Sequence, residues 1–115
     1  MFVSHRNEIE KRAQHHPEMR EVEKQILIGP EQGWQDHVMR LFTLGNGGYA
    51  PRHTHPWPHI IYALEGSGNL FMDGKDHPLT PGSVAYVPAD IDHQISNAGK
   101  EDFVFICIVP KIGEA

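Results

Sequence analysis

Glycine and proline punctuate this chain so often that little of it can be helix. There are 11 glycines and 9 prolines in 115 residues, and turn signals built on them recur about every 8–12 residues. Between them lie short runs of β-branched and aromatic residues. The first is Val22–Ile28, where Val22, Lys24, Ile26 and Ile28 alternate with Glu23, Gln25 and Leu27 before Gly29-Pro30. His37–Leu44 follows and is expected to close at Gly45-Asn46-Gly47-Gly48. Tyr49–His55 runs into Pro56-Trp57-Pro58, which cannot continue a ladder. Then come His59–Glu65 up to Gly66-Ser67-Gly68, Asn69–Met72, a short strand after Asp73-Gly74, Ser83–Val87, His93–Ser96 and Asp102–Val109. Asp-Gly between strands is favoured chemistry for a two-residue hairpin turn. Eight or nine short strands with no convincing long helix predict an all-β sandwich or barrel.

At 115 residues one domain is expected, burying about two thirds of its unfolded surface. Residues 1–20 are polar and read as an N-terminal arm, either ordered on docking or frayed, with a short helix possible around Asn7–Gln14. Residues 21–115 read as the folded domain. The formal charge of −5 excludes a general nucleic-acid binder, which needs a basic footprint. The single cysteine, Cys107, excludes an internal disulfide and a cysteine-rich zinc site. A reducing cytoplasm fits this usage. The stretch MFVSHRNEIEKRAQHH lacks an apolar leader core, and no apolar run is long enough to span a membrane.

The 9 histidines stand out. His53, His55 and His59 fall within Gly47–Gly66, and His93 within Gly82–Asn97. Residues two apart on a strand share a face, so His53 and His55 point together. His59 opens the strand after the Pro-Trp-Pro corner, and His93 arrives from another. Four imidazoles from separate strands of a rigid barrel suit one divalent Mn, Fe, Co, Ni, Cu or Zn, and do not suit Ca or Mg. A closed tetrahedron and a sphere with open positions both remain available to such a set. His5, His15, His16, His37 and His77 sit in polar or turn contexts and read as solvated.

The two histidine blocks resemble the two signature motifs of the cupin superfamily. Gly47, then after five residues His53, His55, after three more His59, and after six Gly66, keeps the spacing of the first. Gly82, Pro88, His93 and Asn97 keep that of the second. His59 stands where the family usually has glutamate, and Asp90 where it has glycine, a position aspartate tolerates in the left-handed conformation. The exchange at His59 resembles the small single-domain four-histidine cupins. The resemblance implies a jelly-roll-like barrel, a homodimer and one mononuclear metal per chain, with manganese the first expectation.

Four neutral imidazoles leave the ion its full charge, which favours acidic bound water and anionic ligands. The function expected is that of a metal-dependent oxidoreductase, dioxygenase-like, acting on a small molecule; a binding or sensing module and an isomerase or lyase are the alternatives. In the last strand Phe103, Phe105, Cys107 and Val109 share one face, and Val104, Ile106 and Ile108 the other, so burial on both sides is expected. In the resembling group the Phe105–Cys107 face looks toward the metal. Cys107 is either an inert small hydrophobe or a redox-sensitive neighbour. Arg40 is either a surface stem or an anion-positioning group in the pocket; with Cys107 it is a candidate catalytic residue. Trp57 is a rim or a packing residue. Glu65 serves as an acid or base only if it turns inward. No phosphate loop and no nucleophile motif is found.

Overall fold

A computed structural model describes residues 1–114. It is all-β, a nearly closed jelly-roll-like barrel. The strands are β1 (Arg12–Gln14), β2 (Arg20–Ile28), β3 (His37–Tyr49), β4 (His59–Glu65), β5 (Gly68–Met72), β6 (Lys75–Leu79), β7 (Val84–Val87), β8 (His93–Asn97) and β9 (Phe103–Pro110). They hydrogen-bond in the order β6-β5-β8-β3-β9-β4-β7, with β2 also on β3 and β1 on β2. No helix among the described residues is long and apolar enough to cross a membrane.

Four local readings differ from expectation. The glycine run does not end β3. The strand pairs with β9 from His37↔Pro110 to Leu44↔Phe103, crosses the glycines, and pairs with β8 at Tyr49↔Ser96. Here glycine serves as a bend within a strand. A Cβ on Gly48 would lie 2.8 Å from the Gly45 carbonyl oxygen, and Gly47 has a φ of +75°. Beyond Tyr49 the chain leaves regular strand, and residues 50–53 run beside β8 on bonds from Ala50 to Ile95 and between His53 and His93. The Asp73-Gly74 hairpin is as expected, with both residues at positive φ and Met72 opposite Lys75. Asp90 adopts a φ of +65°, the left-handed turn expected of it.

The arm holds no helix over Asn7–Gln14. A 3-10 turn at Arg6–Glu8 is followed by β1, antiparallel to β2 with Arg12 opposite Lys24. So few apolar residues give a helix nothing to bury, whereas the edge of β2 offers unpaired backbone groups. Gln25 anchors the arm: it is 2% exposed and donates from Nε2 to the carbonyls of Arg6 and Ile9 at 2.6 and 2.9 Å.

The core is Val22, Val38, Leu44, Ile61, Ala63, Leu70, Leu79, Val87, Ile95, Phe103, Phe105, Cys107 and Val109. In β9 the Phe103–Val109 face is buried as expected. The other face is not fully so: Val104 is buried, while Ile106 and Ile108 are only partly covered. The reason lies in the neighbours. Ile106 and Ile108 adjoin Tyr62 and Ile60 of β4, which in turn face Val84 and Tyr86 of β7, and those four are exposed. The outer sheet face therefore ends in an uncovered apolar block.

Candidate metal centre

His53 and His93 pair backbone to backbone, His53 N to His93 O at 3.1 Å and the reverse at 3.2 Å. That bridge sets the loop before the Pro-Trp-Pro corner against the start of β8. His53, His55 and His93 each place one nitrogen within 4.8 Å of the others'. His59 enters from the start of β4, its Nε2 2.6 Å from His55 Nε2. Ring centroids of His59 lie 4.4 Å from His55 and 5.3 Å from His93. The structure thus gathers all four histidines singled out in the sequence. His37 instead stacks on Trp34 at 5.1 Å, and His5 and His16 accept from nearby backbone N–H groups.

Three of the four other ring nitrogens are held. His55 Nδ1 lies 2.9 Å from the Trp57 carbonyl and His93 Nδ1 2.9 Å from the Ile91 carbonyl. A carbonyl only accepts, so each Nδ1 carries the hydrogen and each Nε2 keeps its lone pair for the cluster. His59 Nδ1 lies 3.0 Å from the Cys107 sulfur. Burial holds His53 and His55 below the ordinary imidazole range. It lowers His59 to about 3, aided by His55, Arg40, His93 and His53. Neutral imidazoles with converging lone pairs fit a transition-metal ion. Trp57 stacks on His55 at 4.6 Å and 6°, so it packs on a candidate ligand as well as standing near the rim.

The cluster opens into a cavity of about 260 Å³, near the small end for ligand sites. Phe42, Leu44, Ile61, Leu70, Ile95 and Phe105 supply apolar wall, and Arg40, Lys24, Trp57 and Cys107 also line it. Larger surface crevices beside the arm hold none of the four histidines; ligand donors, not volume, mark the site. Arg40 is 7% exposed, not a surface stem. Its Nη2 lies 3.1 Å from the Cys107 sulfur and its Nη1 3.4 Å from Glu114 Oε1. Burial pushes the Cys107 thiol up, against the pull of Arg40. Glu65 points outward, half exposed and paired with Arg6 at 2.5 Å, so it takes no part.

Glu114, Arg52 and Asp92 are site groups that left no sequence signal. Glu114 lies 74 residues from Arg40. Arg52 and Asp92, flanking His53 and His93, join their two loops through Arg52 Nη2 to Asp92 Oδ2 at 2.6 Å. Asn97, the last residue of the second motif, donates from Nδ2 to the carbonyls of Leu44, Gly45 and Glu101 at 2.8–3.0 Å. It pins the bend in β3 rather than touching the site.

The sequence of residues 40–109 matches the family model of the cupin domain. The chain belongs to the cupin family. Among relatives, this cupin is 35% identical over 68 residues to a dimethylsulfoniopropionate lyase, DddW, of Ruegeria pomeroyi, covering 59% of this chain and 45% of the lyase. The match thus spans less than half the length of that relative. It is 31% identical over 93 residues to an oxalate-binding protein of Thermotoga maritima, covering 77% and 75% of the two chains. Among solved structures, it resembles the polyketide cyclase RemF of Streptomyces resistomycificus with a TM-score of 0.89 and 27% identity, over 96% of this chain and 79% of the cyclase.

Proposed function

We propose that this cupin is a metal-dependent enzyme that binds a small, largely apolar enol or β-dicarbonyl compound as its enolate. One observation carries the reading: four clustered imidazoles, with the Nε2 lone pairs of His55 and His93 turned inward, floor an apolar cavity that also holds a buried guanidinium. His53, His55, His59 and His93 would hold one divalent transition ion, manganese being the first expectation. Such an ion supplies Lewis acidity to an oxygen placed against it.

The chain's own residues do the rest. Phe42, Leu70, Ile95 and Phe105 exclude water, which strengthens each electrostatic contact inside. Arg40 adds fixed positive charge where an enolate's negative charge would lie. Among the described residues no carboxylate lines the cavity itself, and Glu114 beside it is tied to Lys24 and Arg40. That weighs against an isomerase whose proton is carried by a carboxylate, and favours a substrate acidic enough to lose its proton readily.

From a held enolate two reactions are open. The oxidative, dioxygenase-like reaction is the one that the all-imidazole set first suggests, since it leaves an ion's charge undiminished. Cyclisation is favoured by the likeness to RemF. Substituting redox-inert zinc separates them: turnover that survives zinc and needs no oxygen is cyclisation. The parent proposal is tested by metal analysis of the purified chain and of His55→Ala and His93→Ala. About one ion per chain, lost in both variants, is expected; metal content unchanged in them refutes the site.

A second copy of the chain is the partner that we propose for the exposed apolar face. Ile60, Tyr62, Val84 and Tyr86, beside Ile106 and Ile108, form one cross-strand block without a charge. Blocks of this kind support association.

A further inference from the structure

Arg40 is a buried cation whose company is poor. A guanidinium offers five N–H donors and must be paired when buried. Its Nη2 meets the Cys107 thiol at 3.1 Å, a weak acceptor. Its Nη1 meets Glu114 at 3.4 Å, at the outer limit for a hydrogen bond. Its Nε is buried with no partner among the described residues, and its Cζ lies 4.9 Å from the Phe42 ring centroid. Glu114 is committed elsewhere: its Oε2 accepts from Lys24 Nζ at 2.5 Å. Two cations, Arg40 and Lys24, thus share one carboxylate, and both line the histidine cavity. A second buried donor without a partner among the described residues, Trp57 Nε1, belongs to a residue of the same lining.

Glu114 is delivered by the last turn, Lys111–Glu114. Lys111 N anchors that turn to the Asp36 carbonyl at 2.9 Å. Gly113 lines the cavity, and a Cβ there would come within 2.7 Å of Trp57 Nε1. The turn therefore closes one side of the site and supplies its resting counter-charge.

We infer that Arg40 is the subsite for an anionic group of the substrate, and that Glu114 is a built-in placeholder which the incoming carboxylate or enolate displaces. This rests on the cavity being the substrate site, and it narrows the ligand to a small apolar body bearing one acidic oxygen group. The excess cation draws such a group in. The placeholder keeps Arg40 partly paired when the cavity holds none, and it sets the affinity by competing.

The test uses the full chain and calorimetric titration with trans-cinnamate and with its neutral near-isostere, cinnamamide. Wild type, Glu114→Gln and Arg40→Met are compared, each with zinc and without metal. Glu114→Gln is expected to bind cinnamate about tenfold more tightly than wild type, with cinnamamide unchanged. Arg40→Met is expected to lose the preference for acid over amide. The Glu114→Gln gain is expected in the metal-free chain as well, because it arises at Arg40. Zinc uptake, measured separately by mass spectrometry, reports on the metal centre alone, so either idea can fail without the other. Cinnamate binding to Glu114→Gln no tighter than to wild type, equal binding of acid and amide by that variant, or no millimolar binding of cinnamate to it overturns the inference.

Discussion

The sulfur of Cys107 lies 3.0 Å from His59 Nδ1 and 3.1 Å from Arg40 Nη2. One atom on β9 therefore faces both the histidine that replaces the family's usual glutamate and the buried cation of the cavity. Arg40 stands directly across from Cys107 on β3, and Ile61, two residues beyond His59, across from it on β4. The three side chains converge because their strands are neighbours in the sheet. With the hydrogen on His59 Nδ1 and donated to the sulfur, His59 Nε2 is left free to face His55.

Cys107→Val and Cys107→Ser should differ. Valine fills the space but leaves the His59 and Arg40 donors without an acceptor, and a buried unmet donor costs about 1–3 kcal/mol. Serine keeps an acceptor. Urea unfolding should place Cys107→Val about 2 kcal/mol below Cys107→Ser. Equal midpoints would show that the sulfur merely fills space.

His59→Glu should preserve the fold and alter the metal. The carboxylate removes one positive charge from the loaded site and adds a hard oxygen donor. Circular dichroism should be unchanged, while competition between manganese and copper, read by mass spectrometry, should shift toward manganese. Identical metal preference in the two proteins would refute a ligand role for His59.

Acid should weaken the metal-free protein through His59. Unfolded, its imidazole protonates near the ordinary 6.5; folded, it resists until about 3. The unfolded chain binds more protons between those values, so stability is present above the window and falls as pH drops through it. Denaturant midpoints of the metal-free chain should decline from about pH 6.5 downward, and less steeply in His59→Gln. Parallel curves would remove His59 as a cause.

Asn97→Ala should loosen the bend in β3. Its amide serves the Leu44, Gly45 and Glu101 carbonyls, and its Oδ1 accepts from Gly99 N at 2.8 Å. Loss of this set should cost about 2–3 kcal/mol. Hydrogen exchange should rise first around Gly45–Tyr49. Unchanged exchange there would mean the glycine bend holds itself.

Ile60→Glu should report on the apolar face. Light scattering after size exclusion should give a dimer for wild type and a monomer for the variant, since a charge at the centre of an uncharged patch is costly to bury. A monomeric wild type would end the proposal of a second copy there.

Much of the fold was legible because turn chemistry is local. Asp73-Gly74 between two strands favours the positive φ it adopts, and Asp90 tolerates it. The histidine spacing was legible for the same reason: residue counts between turns fix which side chains a strand can present together. The glycine run misled because glycine serves equally to end a strand and to bend one, and only the partner strands of β3, β9 and then β8, decide. The arm misled because its β1 exists through the free edge of β2, which is absent from its own sequence.

The sequence alone therefore determined an all-β chain with four histidines set to meet, and with one of them in place of a carboxylate. Those are matters of residue type and short spacing. Only the tertiary structure decided what surrounds the cluster. Arg40 meets Cys107 across 67 residues and Glu114 across 74, and Gln25 meets the arm across 16 and 19. Contacts at such separations follow from which strands become neighbours and how the last turn folds back, and no local pattern encodes them.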